Sequence, residues 1–204
     1  MSWTLYTSPR SPFVRKVLIA AYELGLADRL VRQDVVTTPM APAPELLPVN
    51  PLGMIPTLVA DGEVLFDSLT ILEFLDQNAD VPRLFPEGSA RRACLVRHAM
   101  ANNMKDKAVR ILDEQFRQQN KDTAEHVSGY AGTLKRGISW MQDLLNADRF
   151  DAGDIALAAL LSYLDMRFPH IPWRDDARQA AEWFARAEDR SSMKKTVFAK
   201  PPQG

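Results

Sequence analysis

The spacing of apolar positions changes character several times over the first eighty residues. Residues 3–7, WTLYT, are a short run of aromatic and β-branched side chains, which reads as a strand. In FVRKVLIAAYELG (13–25), Val14, Val17, Leu18, Ala21 and Leu24 recur at helical spacing, and Gly25 supplies a stop. LVRQDVV (30–36) reads as a second strand. Strand, helix and strand in succession imply a parallel pair joined by a crossover. Five prolines between residues 39 and 51 mark an irregular loop with at most one helical turn. IPTLVA (55–60) and EVLF (63–66), joined by Asp61-Gly62, read as a hairpin, and SLTILEFLDQ (68–77) reads as a helix. The order βαβ then ββα predicts a small α/β domain with a mixed four-stranded sheet over residues 1–78.

Beyond a linker at 79–88, rich in proline, the pattern becomes helical throughout. Helical periodicity covers residues 90–116, 125–146, 154–168 and 175–190. The third of these, DIALAALLSYLDMRF, is apolar nearly all round and reads as a buried helix. An all-α domain of roughly four to six helices is therefore expected over residues 89–204.

Composition narrows the chemistry. Hydrophobic residues at 46% and charged residues at 25% are ordinary for a soluble globular protein. A formal net charge of −1 gives no electrostatic case for nucleic acid or an anionic membrane. The longest apolar run, Ile155 to Leu161, is far below the ~20 residues that span a bilayer. One cysteine, Cys94, cannot form an internal disulfide, and the amino terminus has no secretory pattern, so a cytoplasmic protein is expected. His98, His126 and His170 are far apart and no cysteine pair exists, so no metal site is expected. Nine glycines without a Gly-x-Gly spacing leave a nucleotide cofactor unsupported.

Two Ser-Pro pairs, Ser8-Pro9 and Ser11-Pro12, precede the first helix. A helix beginning at Pro9 would need the N–H of residue 12, which proline lacks. A helix beginning at Pro12 under a Ser11 cap has no such conflict. Ser11 is then either a cap alone or a hydroxyl placed beside free N–H groups and the positive end of a helix dipole, where a foreign anion is stabilised. With no histidine nearby in sequence, Ser11 suits donation to an anion better than nucleophilic attack. Pro56 before a strand suits a cis peptide that leaves backbone groups for a ligand, and Asp67-Ser68 opens another helix after a strand. Each alone is more often structural, yet the order of elements allows all three to fall along one edge of the sheet.

SPFVRKV, NPLGMIPTLV, FDSLTILEFL and FDAGDIALAALLSYLDMR, in this order and spacing, resemble a glutathione S-transferase over essentially the whole chain. The resemblance implies a thioredoxin-like domain followed by an all-α domain, with glutathione as co-substrate and a homodimer as the assembly. It implies that Ser11 hydrogen-bonds the glutathione sulfur, that Ile55 offers its backbone to the cysteinyl unit with Pro56 cis, and that Asp67 and Ser68 hold the γ-glutamyl ammonium and carboxylate. It places a small apolar electrophile near Arg10 and Phe13, with Met100 and Met104 as an adaptable wall or as plain core. Asp151 and Asp154 match the family's capping pair. The sequence departs from the pattern at Met54, where such enzymes often carry lysine or glutamine, so the glycine end of glutathione lacks a basic contact there. The serine-rich motif of maleylacetoacetate isomerases is absent, and no cysteine stands at position 11 for thiol-disulfide chemistry. Tyr6 is the alternative hydroxyl. A glutathione-holding binding protein and a glutathione-dependent catabolic enzyme for ether cleavage, dehalogenation or isomerisation remain open beside conjugation.

Overall fold

A computed structural model of the chain describes residues 2–145 and 148–199. The chain divides into two compact units, one running to Pro86 and resuming at Ser191, the other spanning Glu87–Arg190.

The first unit is built on a four-stranded sheet in the order β2-β1-β3-β4, formed by β1 (Trp3–Thr7), β2 (Leu30–Asp34), β3 (Thr57–Ala60) and β4 (Glu63–Leu65). β1 is parallel to β2, with Trp3 opposite Leu30, and antiparallel to β3, while β4 pairs antiparallel with β3. This mixed sheet is the one the alternation of patterns predicts. Trp3, Leu5 and Thr7 are buried and Thr4 and Tyr6 only partly, the alternation expected of a strand covered on one face. Helix α1 (Pro12–Glu23) connects β1 to β2, and α2 (Ser68–Gln77) follows β4. Trp3 meets Phe74 of α2 edge to face, with ring centroids 4.9 Å apart. α1 stops two residues short of Gly25, whose φ of +72° gives the reversal that ends the helix. β2 ends at Asp34 rather than residue 36, because Val35 turns into a small cluster with Ala43 and Leu46. The proline-rich loop forms turns but no regular helix.

Part of the expected linker is docked. Asp76 Oδ1 accepts the N–H groups of Arg83 and Leu84 at 2.8 and 2.9 Å, and Leu84 is fully buried. The closing segment also differs from the expected 89–204 division. Helix α7 (Ser191–Lys195), which lies beyond the helical periodicity read to residue 190, packs on α1. Arg15 explains this: its guanidinium donates to the Met193 carbonyl at 3.2 Å and lies 4.6 Å from the Phe198 ring centroid.

The second unit contains α3 (Gly88–Glu114), α4 (Lys121–Gln142), α5 (Ala152–Arg167) and α6 (Arg178–Glu188). α5 is buried from Ala152 to Leu164 and packs on α3 and α6. α4 starts four residues earlier than its apolar pattern suggests. Asn120 and Thr123 close a reciprocal capping box there, at 3.0 and 2.9 Å.

Candidate glutathione site

The strand order brings three segments to one end of the sheet. β1 runs into the turn that opens α1. β3 is antiparallel to β1 with Thr57 opposite Tyr6, so the loop before β3 meets that turn. β4 is antiparallel to β3 with Leu65 opposite Leu58, so the chain leaves β4 and enters α2 at the same end. Ser11, Ile55-Pro56 and Asp67-Ser68 are therefore gathered by topology, although up to 57 positions separate them in sequence.

Ser11 caps α1 with extended backbone angles, and its Oγ accepts the Val14 N–H at 3.3 Å. Its own N–H donates to the Ser8 carbonyl at 3.2 Å, so Ser8-Pro9 forms the turn and Ser11-Pro12 the helix start. The Ser11 side chain is half-buried, and its hydroxyl proton goes to no acceptor among the described residues. A neutral cap that receives one bond and has a proton left to give is suited to an anion at the helix terminus. Tyr6 lies in β1 and packs against the cluster of Val35, Ala43 and Leu46, as does the Ile55 side chain.

The Ile55-Pro56 peptide is cis. The loop before it is held by Asn50, which is fully buried. Its Nδ2 donates to the Met54 carbonyl at 3.1 Å and to Thr57 Oγ1 at 2.9 Å, and its Oδ1 accepts the Leu52 N–H at 3.0 Å. These bonds do not use the Ile55 main chain. Met54 is 61% exposed, with only its carbonyl engaged. Asn50 escaped notice in the sequence, where Asn-Pro reads simply as a turn signal.

At α2, Asp67 is the cap. Its Oδ1 accepts the Leu69 N–H at 3.0 Å while the residue remains exposed, and Ser68 is buried. A second unforeseen residue is Lys16 on α1, whose side chain is fully buried. Desolvation lowers its pKa to about 7, against the opposing pull of the Asp67 carboxylate. Its place in the helical pattern, amid Arg15 and Val17, gave no sign of burial.

Arg10 and Phe13 flank Ser11 and are each half-buried. Arg10 makes no hydrogen bond or ion pair among the described residues. Met100 and Met104 belong to α3 in the second unit. Met104 is buried against Gly137 of α4, where an added Cβ would lie 2.4 Å from its sulfur, so its contacts there are those of a core residue. Cys94 is buried in α3, and its thiol is pushed up to about 12 by burial and then by the charge of Asp151. No group of three or more potential metal-ligating side chains occurs among the described residues, and no described helix is long and apolar enough to cross a membrane.

The Asp151 cap of α5 contrasts with Ser11. Asp151 Oδ1 accepts the N–H groups of Gly153 and Asp154 at 2.9 and 3.2 Å, and Asp154 returns a bond to the Asp151 N–H at 3.2 Å. Arg97 bonds Asp151 and approaches Asp154 at 3.4 Å, while Arg149 reaches Asp154 at 2.9 Å.

Comparison with known proteins places this geometry in context. Residues 10–78 match the model for the glutathione S-transferase N-terminal domain, and residues 106–186 match that for the C-terminal domain. The chain is 36% identical to a glutathione transferase family member from Pseudomonas fluorescens Pf-5 solved with bound glutathione, with a TM-score of 0.91 over 99% of this chain and 100% of that one. The structure of a Pf-5 family member with bound S-(propanoic acid)-glutathione is 35% identical, with a TM-score of 0.88 over 97% of this chain and 100% of that one. Among sequence relatives, glutathione S-transferase L1 of Arabidopsis thaliana is 35% identical over 43% of this chain and 37% of its own length. A stringent starvation protein A homolog of Coxiella burnetii is 28% identical over 84% of this chain and 80% of its own length.

Proposed function

The chain belongs to the glutathione S-transferase family, and from that premise we propose that it binds glutathione, activates its thiol at Ser11 and adds the sulfur to small electrophiles. The observation that carries this reading is the gathering of Ser11, Ile55-Pro56 and Asp67-Ser68 at one end of the sheet. The Ser11 hydroxyl donates to the sulfur, the Ile55 backbone pairs with the cysteinyl unit, Asp67 holds the γ-glutamyl ammonium and Ser68 its carboxylate.

The energetics suffice without a general base. A free thiol has a pKa of ~8.5, and lowering it by about two units needs roughly 2.7 kcal/mol of preference for the thiolate. One hydrogen bond to an ion contributes ~1.5–3 kcal/mol, and a helix terminus adds up to ~1 kcal/mol. The thiolate sulfur then bonds to the electrophilic carbon. A displaced halide leaves with its electron pair, or an activated double bond passes its pair to the adjacent carbon, which takes a proton. Arg10 and Phe13, beside Ser11, are assigned to the electrophile end. An acid-bearing electrophile is included, because the Arg10 guanidinium has no hydrogen-bond or ion-pair partner among the described residues and because a neighbouring structure holds S-(propanoic acid)-glutathione. The single buried cysteine, Cys94, is in keeping with a cytoplasmic, reducing setting.

The test is the rate of glutathione addition to a panel of aryl halides and activated alkenes, with and without a carboxylate. Ser11→Ala is expected to lower kcat/KM about 10–100-fold, the kinetic equivalent of one charge-assisted hydrogen bond. Wild-type protein that binds glutathione yet accelerates no member of the panel would favour a binding protein.

A further inference from the structure

The stretch between β2 and the end of β3 is nearly uncharged. From Val35 to Ala60 it carries a single charged side chain, Glu45, and no Lys, Arg or His occurs between Val35 and Pro82. It is also apolar where it meets solvent. Met40 is 92% exposed and Val36 88%, and Leu52 and Met54 are each more than half exposed. Apolar side chains gathered at a surface mark a place where something binds. The two ends of the stretch are fastened together. Thr37 Oγ1 donates to the Gly53 carbonyl at 2.7 Å and accepts the Ala43 N–H at 3.2 Å. A Cβ on Gly53 would lie 2.9 Å from Pro42 Cβ, so the segment bearing Val36 and Met40 packs against the one bearing Leu52 and Met54.

The sheet order says which part of a bound tripeptide meets this stretch. In the order β2-β1-β3-β4, Asp67-Ser68 follow β4 on one flank, Ile55 precedes β3, and Val35 follows β2 on the other flank. A tripeptide with its γ-glutamyl end at Asp67-Ser68 and its cysteinyl unit at Ile55 has one direction left for its third residue, toward Met54 and the segment after β2. A glycyl carboxylate arriving there finds no cation in the stretch itself.

We propose that this stretch receives the carboxyl end of the thiol tripeptide by apolar contact and not by an ion pair, so that the protein takes γ-glutamyl-cysteinyl thiols whose glycyl end is an alkyl ester or an amide at least as readily as glutathione. The proposal rests on the reading of Ile55 and Asp67-Ser68 as the cysteinyl and γ-glutamyl sites. An exposed carboxylate without a fixed cation gains little from binding, whereas an alkyl group laid on Met40, Leu52 or Met54 removes apolar surface from water.

The described basic residues of the first unit are placed elsewhere. Arg10 stands after β1, beside Ser11, and is assigned to the electrophile. Arg15 donates to the Met193 carbonyl, Lys16 is buried on α1, and Arg29 lies over Trp3 at the opposite end of the sheet. Arg32 is midway along β2, opposite Leu5, and Arg83 follows α2. Lys194 and Lys195 belong to α7.

The probes are glutathione, its glycinamide and its glycyl ethyl ester, which share the thiol and the γ-glutamyl group and differ only at the glycyl end. Titration calorimetry on the full chain at pH 7 gives the three dissociation constants. The amide is expected to bind within about twofold of glutathione, and the ester about 2–10-fold tighter than the amide, as for partial burial of two carbons. Met54→Lys, a change at an exposed side chain, is expected to tighten glutathione about 2–5-fold and to leave the amide unchanged. Glutathione binding more than about twofold tighter than the amide in wild type shows a cation at the glycyl carboxylate and overturns the inference. An ester no tighter than the amide overturns the apolar contact, and a Met54→Lys protein with unaltered affinities overturns the placement of the glycyl end. Each of these results leaves the glutathione reading standing. Failure of all three probes to bind overturns the glutathione reading itself.

Discussion

Helix α1 begins under the hydroxyl of Ser11, and helix α5 begins under the carboxylate of Asp151. Both ends carry the same dipole, yet their surroundings differ in kind. At α5 the cap is itself an anion, accepting two backbone N–H groups and bound to Arg97, with Arg149 and Asp154 completing a buried network. Burial pushes the Asp154 carboxyl above its ordinary range against the pull of both arginines. The positive end of that helix is already matched from within. At α1 the cap is neutral, half-buried, and keeps its hydroxyl proton. The field at that end is left for an anion brought from outside.

Substitutions at the two termini should separate these roles. Asp151→Ala removes the cap and strands Arg97, and is expected to cost about 3–5 kcal/mol in chemical denaturation, the usual cost of breaking a buried ion pair. A loss under 1 kcal/mol would show that the network contributes little. Gly153→Ala places a Cβ 2.8 Å from both Arg97 Cβ and the Cys94 carbonyl, so a loss of about 1–3 kcal/mol is expected from the forced shift. Ser11→Ala is expected to cost about 1 kcal/mol or less, as for loss of a neutral cap, while sharply reducing catalysis. Equal losses of stability at Ser11 and Asp151 would erase the distinction drawn here.

A further effect concerns pH. Lys16 has a folded-state pKa near 7 against an ordinary 10.5, so between these values the unfolded chain binds more protons than the folded one. Stability therefore rises with pH across that window through this group and is lost as the pH falls toward 7. Lys16→Met should flatten the slope in urea unfolding measured from pH 7 to 10, without weakening the fold at pH 7.

Sheet, crossover and helices were legible because each rests on local rules. The Pro12 conflict alone distinguishes Ser11 from Ser8 as the cap, and the structure agrees. Asp151 and Asp154 likewise carry their capping pair in sequence. What could not be read depends on contacts between distant positions. Asn50 is decisive only because the loop folds over it to meet Thr57. Lys16 looks like a surface residue until α2 closes on α1. The return of α7 to the first unit follows from Arg15 meeting Met193, a pair 178 positions apart. Met104 has helical spacing suited to either a wall or a core, and Gly137 seats it in the core of its unit.

The central claim is that the start of α1 holds a sulfur anion under the Ser11 hydroxyl. The direct measurement is an ultraviolet titration of the thiolate of bound glutathione, comparing wild type with Ser11→Ala. The account predicts a thiol pKa about two units below the ~8.5 of the free thiol in wild type, moving most of the way back in the variant. An unchanged pKa in both proteins, with glutathione bound, would contradict it.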